Sequence, residues 1–422
     1  MQSLPASIDR DATVEGGDAG TELPQGATEM HRFGGRLSGS RHSAASASRP
    51  IGFVSSLESL RGIAALMVAA FHARQARLPG GADLLGTADD RGGLLWSTLS
   101  HAYIALANGH GAVIFFFVLS GFVLALSLER GPRDAGSSAR RFFPARVFRL
   151  YPAVISTVLI FATVFWVFGA ALPGLTIDYF RPSSLLRNML LIDVSINGVM
   201  WTLQLEVIAA PLIFATVLLQ TRWDTTPVFV LAAVLILLSF SGTWIHALGY
   251  GKAPLGPLYA FVFGILVHSI GWRLVGRTST RFATVFFMAT AVVFFAARPV
   301  LGFGSRWSPL VESAASACII LILAYGKPTI LSRSLDSSIL RMCGKLSYSF
   351  YLLHPLTLLL VWNIPMQLAA ARSAGIPGVI IALGLAVGSS IAIMPLAWLS
   401  WRFIELPGIA LGRRLTTSLK GL

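Results

Sequence analysis

Apolar runs long enough to cross a lipid bilayer dominate this chain and restrict what it can fold into. A helix needs roughly 20 apolar residues to span the hydrocarbon core. The ten runs of that kind lie near 56–73, 110–129, 147–170, 199–219, 227–247, 255–272, 282–299, 309–326, 346–363 and 378–401. Only 12% of the 422 residues are charged, which is about half the share in a soluble domain. The sequence therefore predicts an all-α, polytopic transmembrane helical bundle with about ten crossings.

The remaining segments divide the chain further. Residues 1–50 are rich in Gly, Ser, Ala and Arg, with only isolated apolar residues, a composition typical of a disordered polar tail. Residues 51–407 form the predicted transmembrane domain, and residues 408–422 a short basic tail. Residues 94–107 are apolar enough for a short interfacial or re-entrant helix.

The distribution of Lys and Arg predicts the orientation of the bundle. The N-terminus and the loops on its side of the membrane carry 23 of the 33 basic residues, and the opposite loops carry 9. Because cytoplasmic loops are enriched in Lys and Arg, both termini are expected in the cytoplasm. The Arg-, Ala- and Gly-rich composition and the lack of Asn-x-Ser/Thr sequences favour a bacterial inner membrane.

The same composition argues against two other classes of protein. The net charge of +14 comes mainly from Arg residues scattered between apolar runs, whereas a nucleic-acid-binding surface needs clustered Lys and Arg. Cys318 and Cys343 form neither a disulfide framework nor a spacing typical of metal ligands. We therefore expect no nucleic acid and no bound metal.

Ionisable residues inside the predicted helices indicate a functional site, because such groups are costly in lipid. Four are singled out as candidates: Arg61, His72, Glu206 and His354. At 1.5 Å of rise per residue, the last three lie roughly 13–16 Å along their helices, near the middle of a core about 30 Å thick. A histidine can take a proton from a hydroxyl near neutral pH, and a nearby carboxylate would orient its ring. Packing of His354 and structural pairing of Glu206 are the alternatives.

Two arginines indicate an anionic ligand. Arg146 and Arg149 are three residues apart at the start of the third predicted crossing and so share one face of the helix. Guanidinium groups recognise phosphate through paired hydrogen bonds. The alternative is that both residues serve only the charge bias of cytoplasmic loops.

Six short motifs occur in a fixed order between residues 56 and 407. The first is Ser-Leu-Glu-Ser-Leu-Arg-Gly-Ile-Ala-Ala-Leu at 56–66, with His72 eleven residues after Arg61. The second is Phe-Phe-Phe-Val-Leu-Ser-Gly-Phe at 115–122, and the third is Arg-x-x-Arg at 146–149, followed by Leu-Tyr-Pro. The last three are Trp-Thr-Leu-Gln-Leu-Glu at 201–206, Tyr-Ser-Phe-Tyr-Leu-Leu-His-Pro at 348–355 and Phe-Ile-Glu-Leu-Pro at 403–407. This set resembles the membrane acyltransferase 3 family. Glu58-Ser59 departs from the Asp-Gly more common in the family. Because few residues follow Pro407, we expect no fused hydrolase domain of the SGNH type.

The resemblance implies transfer of an acyl group, usually acetyl, from cytoplasmic acyl-CoA to a hydroxyl of a membrane or extracytoplasmic acceptor, most often a glycan. It implies that His72 is the general base, that Arg61 supports it or the donor, and that Arg146 and Arg149 hold the CoA phosphates. The resemblance also implies no resident cofactor, since acyl-CoA is a co-substrate.

Three further residues complete the expected site. Within the matching motifs, Ser120 is assigned to the binding site for acyl-CoA and Trp201 to the binding site for the acceptor molecule. From its depth, Glu206 joins the catalytic set, and His354 joins the acceptor site. The alternative function is a proton-coupled transporter of lipid-linked sugars or small molecules, with the buried His and Glu as a proton relay. No internal repeat supports that alternative.

Overall fold

The computed structural model describes residues 55–81, 83–85, 93–132, 134–168, 176–241, 255–275, 278–327, 329–361 and 364–418. About 87% of the structure is helical, and no strand occurs in these ranges. The predicted all-α helical bundle is thus confirmed. The expected tail at 1–50 lies outside the described residues.

Fifteen α-helices are described within these ranges. They are α1 (Ser55–Ala73), α2 (Gly93–Leu106), α3 (Gly109–Glu129), α4 (Ala135–Phe168), α5 (Pro182–Met189), α6 (Trp201–Trp223), α7 (Thr226–Ser241), α8 (Tyr259–Val275), α9 (Thr280–Leu301), α10 (Trp307–Tyr325), α11 (Ile330–Leu335), α12 (Ser338–Val361), α13 (Pro365–Ser373), α14 (Gly378–Ser400) and α15 (Leu406–Ser418). A π-helical segment, Trp401–Glu405, joins α14 to α15.

Each predicted apolar run coincides with a helix, and α2 occupies the apolar segment expected at 94–107. Seven helical segments in the described ranges are long and apolar enough to cross a membrane. Two of them each combine two helices, α2 with α3 and α14 with α15, and the other five contain α4, α6, α8, α9 and α10. Helix α7 is apolar but has only 16 residues. Helices α1 and α12 are less apolar because they carry polar residues singled out in the sequence, including Arg61, His72 and His354.

Helix α4 is longer than its apolar run and begins at Ala135, twelve residues before the expected start at 147. The Asp134 carboxylate accepts a hydrogen bond from the backbone N–H of Ser137 (Oδ1, 3.1 Å), which satisfies an otherwise free donor of the first turn. The helix continues through Pro144 and Pro152. As a result, the arginines of this segment lie on a helix rather than in a loop.

The expected basic tail after Pro407 is also helical over most of its length. Helix α15 packs along α4, where Gly408 and Gly412 both approach Phe148. A Cβ at residue 412 would lie 2.8 Å from Cβ of Phe148. The close approach carries Arg413 back to the main bundle.

Glycines fix the contact between α1 and α12. A Cβ at Gly62 would lie 2.6 Å from the backbone N of Gly344, and a Cβ at Gly344 would collide with the carbonyl of Glu58. Small residues allow this close backbone approach, which strengthens dispersion contacts between membrane helices. Helices α3 and α8 approach in the same way through Gly121 and Gly264.

The two ends of the bundle differ in character. Helix α1 begins at the end where α3 ends and α4 begins, which we call the arginine end. The opposite end, where α1 ends and α3 begins, is the histidine end: Gly109 lies directly against Phe71 there. The charge distribution places the arginine end on the expected cytoplasmic side.

Candidate functional site

A cavity of about 510 Å³ extends into the bundle from the arginine end. Its wall is formed by residues of α1, α3, α4, α6, α12 and α15. Along α3 the lining residues run from Leu128 to Val113, a distance of about 22 Å at the helical rise. The cavity therefore extends most of the way along this helix.

Positive charge dominates the lining of this cavity, which we call the arginine cavity. Five arginines line it: Arg61, Arg141, Arg146, Arg149 and Arg413. Among the described residues of the lining, Glu206 is the only acidic one. Because an excess of guanidinium groups in a partly enclosed site favours anions, the arginine cavity is suited to a phosphate-bearing ligand.

Two polar atoms in the arginine cavity have no hydrogen-bond partner among the described residues. Arg146 uses its Nη2 to pair with Oε2 of Glu206 at 3.4 Å, and both side chains are less than a fifth exposed. Its Nε is buried and unpaired, as is Oγ of Ser347. Since buried polar atoms are normally paired, these two atoms fit a ligand that supplies acceptors.

One buried carboxyl group lies behind the wall of the arginine cavity. Glu405, on the π-helical segment, is 5% exposed and accepts a hydrogen bond from Oγ of Ser349 at 3.0 Å. It lies within electrostatic range of Arg61 and Arg149. The π-helical turn, a feature often found at functional sites, thus places a buried carboxyl group behind the arginine side chains.

The deep end of the arginine cavity is less charged and is shaped by aromatic residues. Tyr351 lines the wall, donates from its hydroxyl to the carbonyl of Val199 at 3.1 Å and accepts from Oγ1 of Thr202 at 3.1 Å. The ring of Phe116 meets the Tyr351 ring edge-on, with the centroids 6.1 Å apart. Tyr351 is also the residue that connects the arginine cavity to the histidines.

His72 and His354 lie in direct contact and form what we call the histidine pair. Nδ1 of His72 is 3.0 Å from Nε2 of His354. Nδ1 of His354 is 2.7 Å from the carbonyl oxygen of Tyr351. His354 is 1% exposed, whereas His72 is only partly buried. The pair adjoins the deep end of the arginine cavity through Tyr351 without lining it.

The structure divides the sequence-predicted residues between these two regions. Arg61, Ser120, Arg146, Arg149 and Glu206 line the arginine cavity, and the histidines form the pair. Trp201 is not in the lining of that cavity; its ring meets Phe117 edge-on at 6.0 Å.

The carboxylate expected close to His72 is found elsewhere. Glu206 pairs with Arg146, and the ring in contact with His72 belongs to His354. Helical rise gives depth but not the face on which a side chain lies, so residues at similar depth were assigned to one site.

Some residues of the site were not selected from the sequence. Tyr348 and Tyr351 lie in the same motif as His354, six and three residues before it, so their position on one helical face was a usable signal. Arg141 was counted only as part of the charge bias. Arg413 reaches the arginine cavity because α15 folds back along α4, which nothing local in the sequence indicates.

A second buried charge cluster lies at the histidine end. Arg298 binds both carboxylate oxygens of Glu312, at 2.8 and 3.0 Å, and Nδ2 of Asn108 donates to the same carboxylate at 2.7 Å. Oδ1 of Asn108 accepts from the backbone N–H of Gly111 at 2.9 Å. Because each carboxylate oxygen is paired, this cluster anchors the first turn of α3.

Comparisons with known proteins give one result. The family model described as an acyltransferase domain matches residues 54–395. Searches of curated proteins and of solved structures gave no match.

No group of three or more metal-ligating side chains occurs in the described part of the chain.

Proposed function

The chain belongs to the acyltransferase 3 family and is a multi-pass membrane acyltransferase, and we propose that it transfers an acetyl group from acyl-CoA to a hydroxyl. The proposed acceptor is a sugar of a glycan, or another hydroxyl-bearing molecule, at the membrane or beyond it. The proposed location is the bacterial inner membrane, with both termini in the cytoplasm.

The arginine cavity is the proposed donor site. CoA is a phosphate-rich molecule with a long, uncharged pantetheine arm that ends in the thioester. Five arginines near the arginine end suit the phosphates, and Arg146 offers an unpaired Nε to an acceptor oxygen. The deeper wall, which includes Phe116 and Tyr351, suits the arm.

His72 is the proposed general base. In the reaction, the acceptor hydroxyl gives its proton to His72 while its oxygen attacks the thioester carbonyl, so that a C–O bond forms. The tetrahedral intermediate collapses with cleavage of the C–S bond. The CoA sulfur leaves and takes the proton back from His72, so the base is regenerated.

One observation carries this proposal: the arginine cavity runs from the expected cytoplasmic end to Tyr351. The carbonyl oxygen of Tyr351 contacts the ring of His354, and that ring contacts His72. A thioester that follows this path approaches the base from one side. His72 is the penultimate residue of α1, so an acceptor can approach it from the histidine end.

The test uses the purified full chain in nanodiscs, with acetyl-CoA and a panel of sugar and lipid-linked hydroxyl acceptors. Wild type should release CoA and produce an acetylated acceptor that is detectable by mass. His72→Ala should slow both at least about 100-fold while binding acetyl-CoA with unchanged affinity.

Two outcomes would overturn parts of the proposal. Full activity of His72→Ala would remove the base assignment. If wild type bound no acetyl-CoA saturably, the donor assignment would fail, and proton-coupled transport would become the leading alternative.

A further inference from the structure

We propose that His354 is a positioning residue that fixes the tautomer of His72, and that Pro355 favours this by leaving a backbone carbonyl without its usual helical partner. The proposal rests on the proposed function, because it explains how His72 presents an unprotonated nitrogen to the acceptor hydroxyl. It replaces the acceptor-binding role that sequence depth suggested for His354.

The first step concerns the carbonyl of Tyr351. In a regular α-helix this oxygen accepts a hydrogen bond from the N–H four residues later, at position 355. Pro355 lies inside α12 and has no N–H. The freed oxygen instead faces Nδ1 of His354 at 2.7 Å.

The second step assigns the proton on His354. A carbonyl oxygen can only accept, so the nitrogen that faces it, Nδ1, must carry the hydrogen. His354 is 1% exposed, and charging a buried ring between a carbonyl and a second imidazole costs desolvation energy. The neutral ring has one N–H, and therefore Nε2 of His354 is an acceptor.

The third step transfers this constraint to His72. Nδ1 of His72 lies 3.0 Å from the accepting Nε2 of His354, so Nδ1 of His72 must be the donor; the backbone of Val68, one turn earlier on α1, also interacts with the His72 ring. The remaining nitrogen of His72, Nε2, then holds a lone pair. A general base needs such a lone pair, and the opposite tautomer would present a proton to the hydroxyl.

The contact between α1 and α12 keeps the two rings of the histidine pair aligned. Gly62 touches Gly344, and His72 touches His354. Each histidine lies ten residues after the glycine of its own helix. The two helices therefore run in the same direction and bring the rings together without any contribution from loops.

The test compares two substitutions of His354 in the full chain. His354→Leu removes the acceptor, whereas the amide oxygen of His354→Gln can take the place of Nε2. His354→Leu should lower kcat about two- to tenfold, the effect of one lost hydrogen bond, and His354→Gln should recover most of that loss. The KM for acetyl-CoA should stay within about twofold in both variants, since His354 does not line the arginine cavity.

A matched control and a spectroscopic measurement complete the experiment. His101 also has Nδ1 close to a backbone carbonyl, that of Ser97 at 2.8 Å, but is exposed; His101→Leu should keep wild-type kcat. Solid-state ¹⁵N NMR of ring-labelled histidine, assigned by difference with His72→Ala, should show the hydrogen of His72 on Nδ1. In His354→Leu the Nε2–H tautomer should gain population.

The outcomes separate this inference from the proposed function. If His72→Ala is inactive but His354→Leu keeps full kcat, the base assignment stands and the positioning role is wrong. A wild-type His72 with its hydrogen on Nε2, or a His354→Gln no better than His354→Leu, would also overturn the positioning role. Only a fully active His72→Ala would remove the base itself.

Discussion

The arginine cavity and the histidine pair share helices α1 and α12 but are built in opposite ways. The arginine cavity is wide, strongly positive and includes an unpaired Nε on Arg146. In the histidine pair, three of the four ring nitrogens already face a partner within the protein. On the proposed function, this difference means that the donor completes the arginine cavity, whereas the pair is organised before any ligand arrives.

This contrast has a physical reason. A binding site for a polyanion gains affinity from donors that lack partners until the anion supplies acceptors. A general base gains from a fixed proton position, because any reorganisation at the moment of reaction adds to the barrier. Substitutions should therefore affect binding in one region and turnover in the other.

The largest separation is expected from the double substitution Arg146→Ala with Arg149→Ala. Loss of two charge-assisted contacts, each worth roughly 1.5–3 kcal/mol, should raise the Kd for acetyl-CoA about 100-fold or more, measured by calorimetry in nanodiscs. Arg273→Ala with Arg281→Ala removes two exposed charges from the same side of the bundle and should leave the Kd unchanged. Equal effects in both double variants would mean that Arg146 and Arg149 serve only topology.

A smaller effect is expected when the arginine cavity is narrowed along its length. Ser120 lies on the wall of the arginine cavity, on α3, and Ser120→Phe would fill part of the path to Tyr351. Acetyl transfer should fall about tenfold or more, while binding of adenosine 3′,5′-bisphosphate, which lacks the arm, should persist. Thr163→Phe, on an exposed face of α4, is the control. Wild-type transfer by Ser120→Phe would place the donor path elsewhere.

The smallest effect is expected from a methyl group at the contact of α1 with α12. Gly344→Ala should lower stability by about 1–3 kcal/mol because the new methyl meets the carbonyl of Glu58, and it should reduce kcat several-fold by moving the histidine pair apart. Gly384→Ala in α14, where nothing lies within 4 Å, should instead stabilise by about 0.5–1 kcal/mol. Thermal unfolding in detergent measures both, and equal shifts would argue against a tight helix contact.

Much of the fold could be predicted because hydropathy is a local property of the sequence. The apolar runs found every major helix, yet α4 and α15 extend beyond them, because the additional residues are basic and, in α4, include Pro144. A cap at Asp134 and packing against α4 stabilise these ends. Both depend on contacts that a hydropathy scan does not include.

The candidate site was predictable residue by residue but not as an arrangement. The energetic cost of placing an ionisable group in lipid singled out Arg61, His72, Glu206 and His354. In the structure, Arg61 and Glu206 line the arginine cavity, and the two histidines contact each other. Their partners were not predictable, because depth along a helix leaves its rotation open. The helix contact at Gly62 decides that rotation and brings His354, rather than Glu206, to His72.

The equal ten-residue intervals on α1 and α12 make helix length itself part of the geometry of the histidine pair. One residue inserted between Gly62 and His72 would turn the imidazole by about 100° around the helix axis, away from His354, although every side chain would still be present. Insertions in the loops that join the helices leave both intervals intact. The histidine contact should therefore survive changes of loop length but not a change of length within either of these two helical intervals.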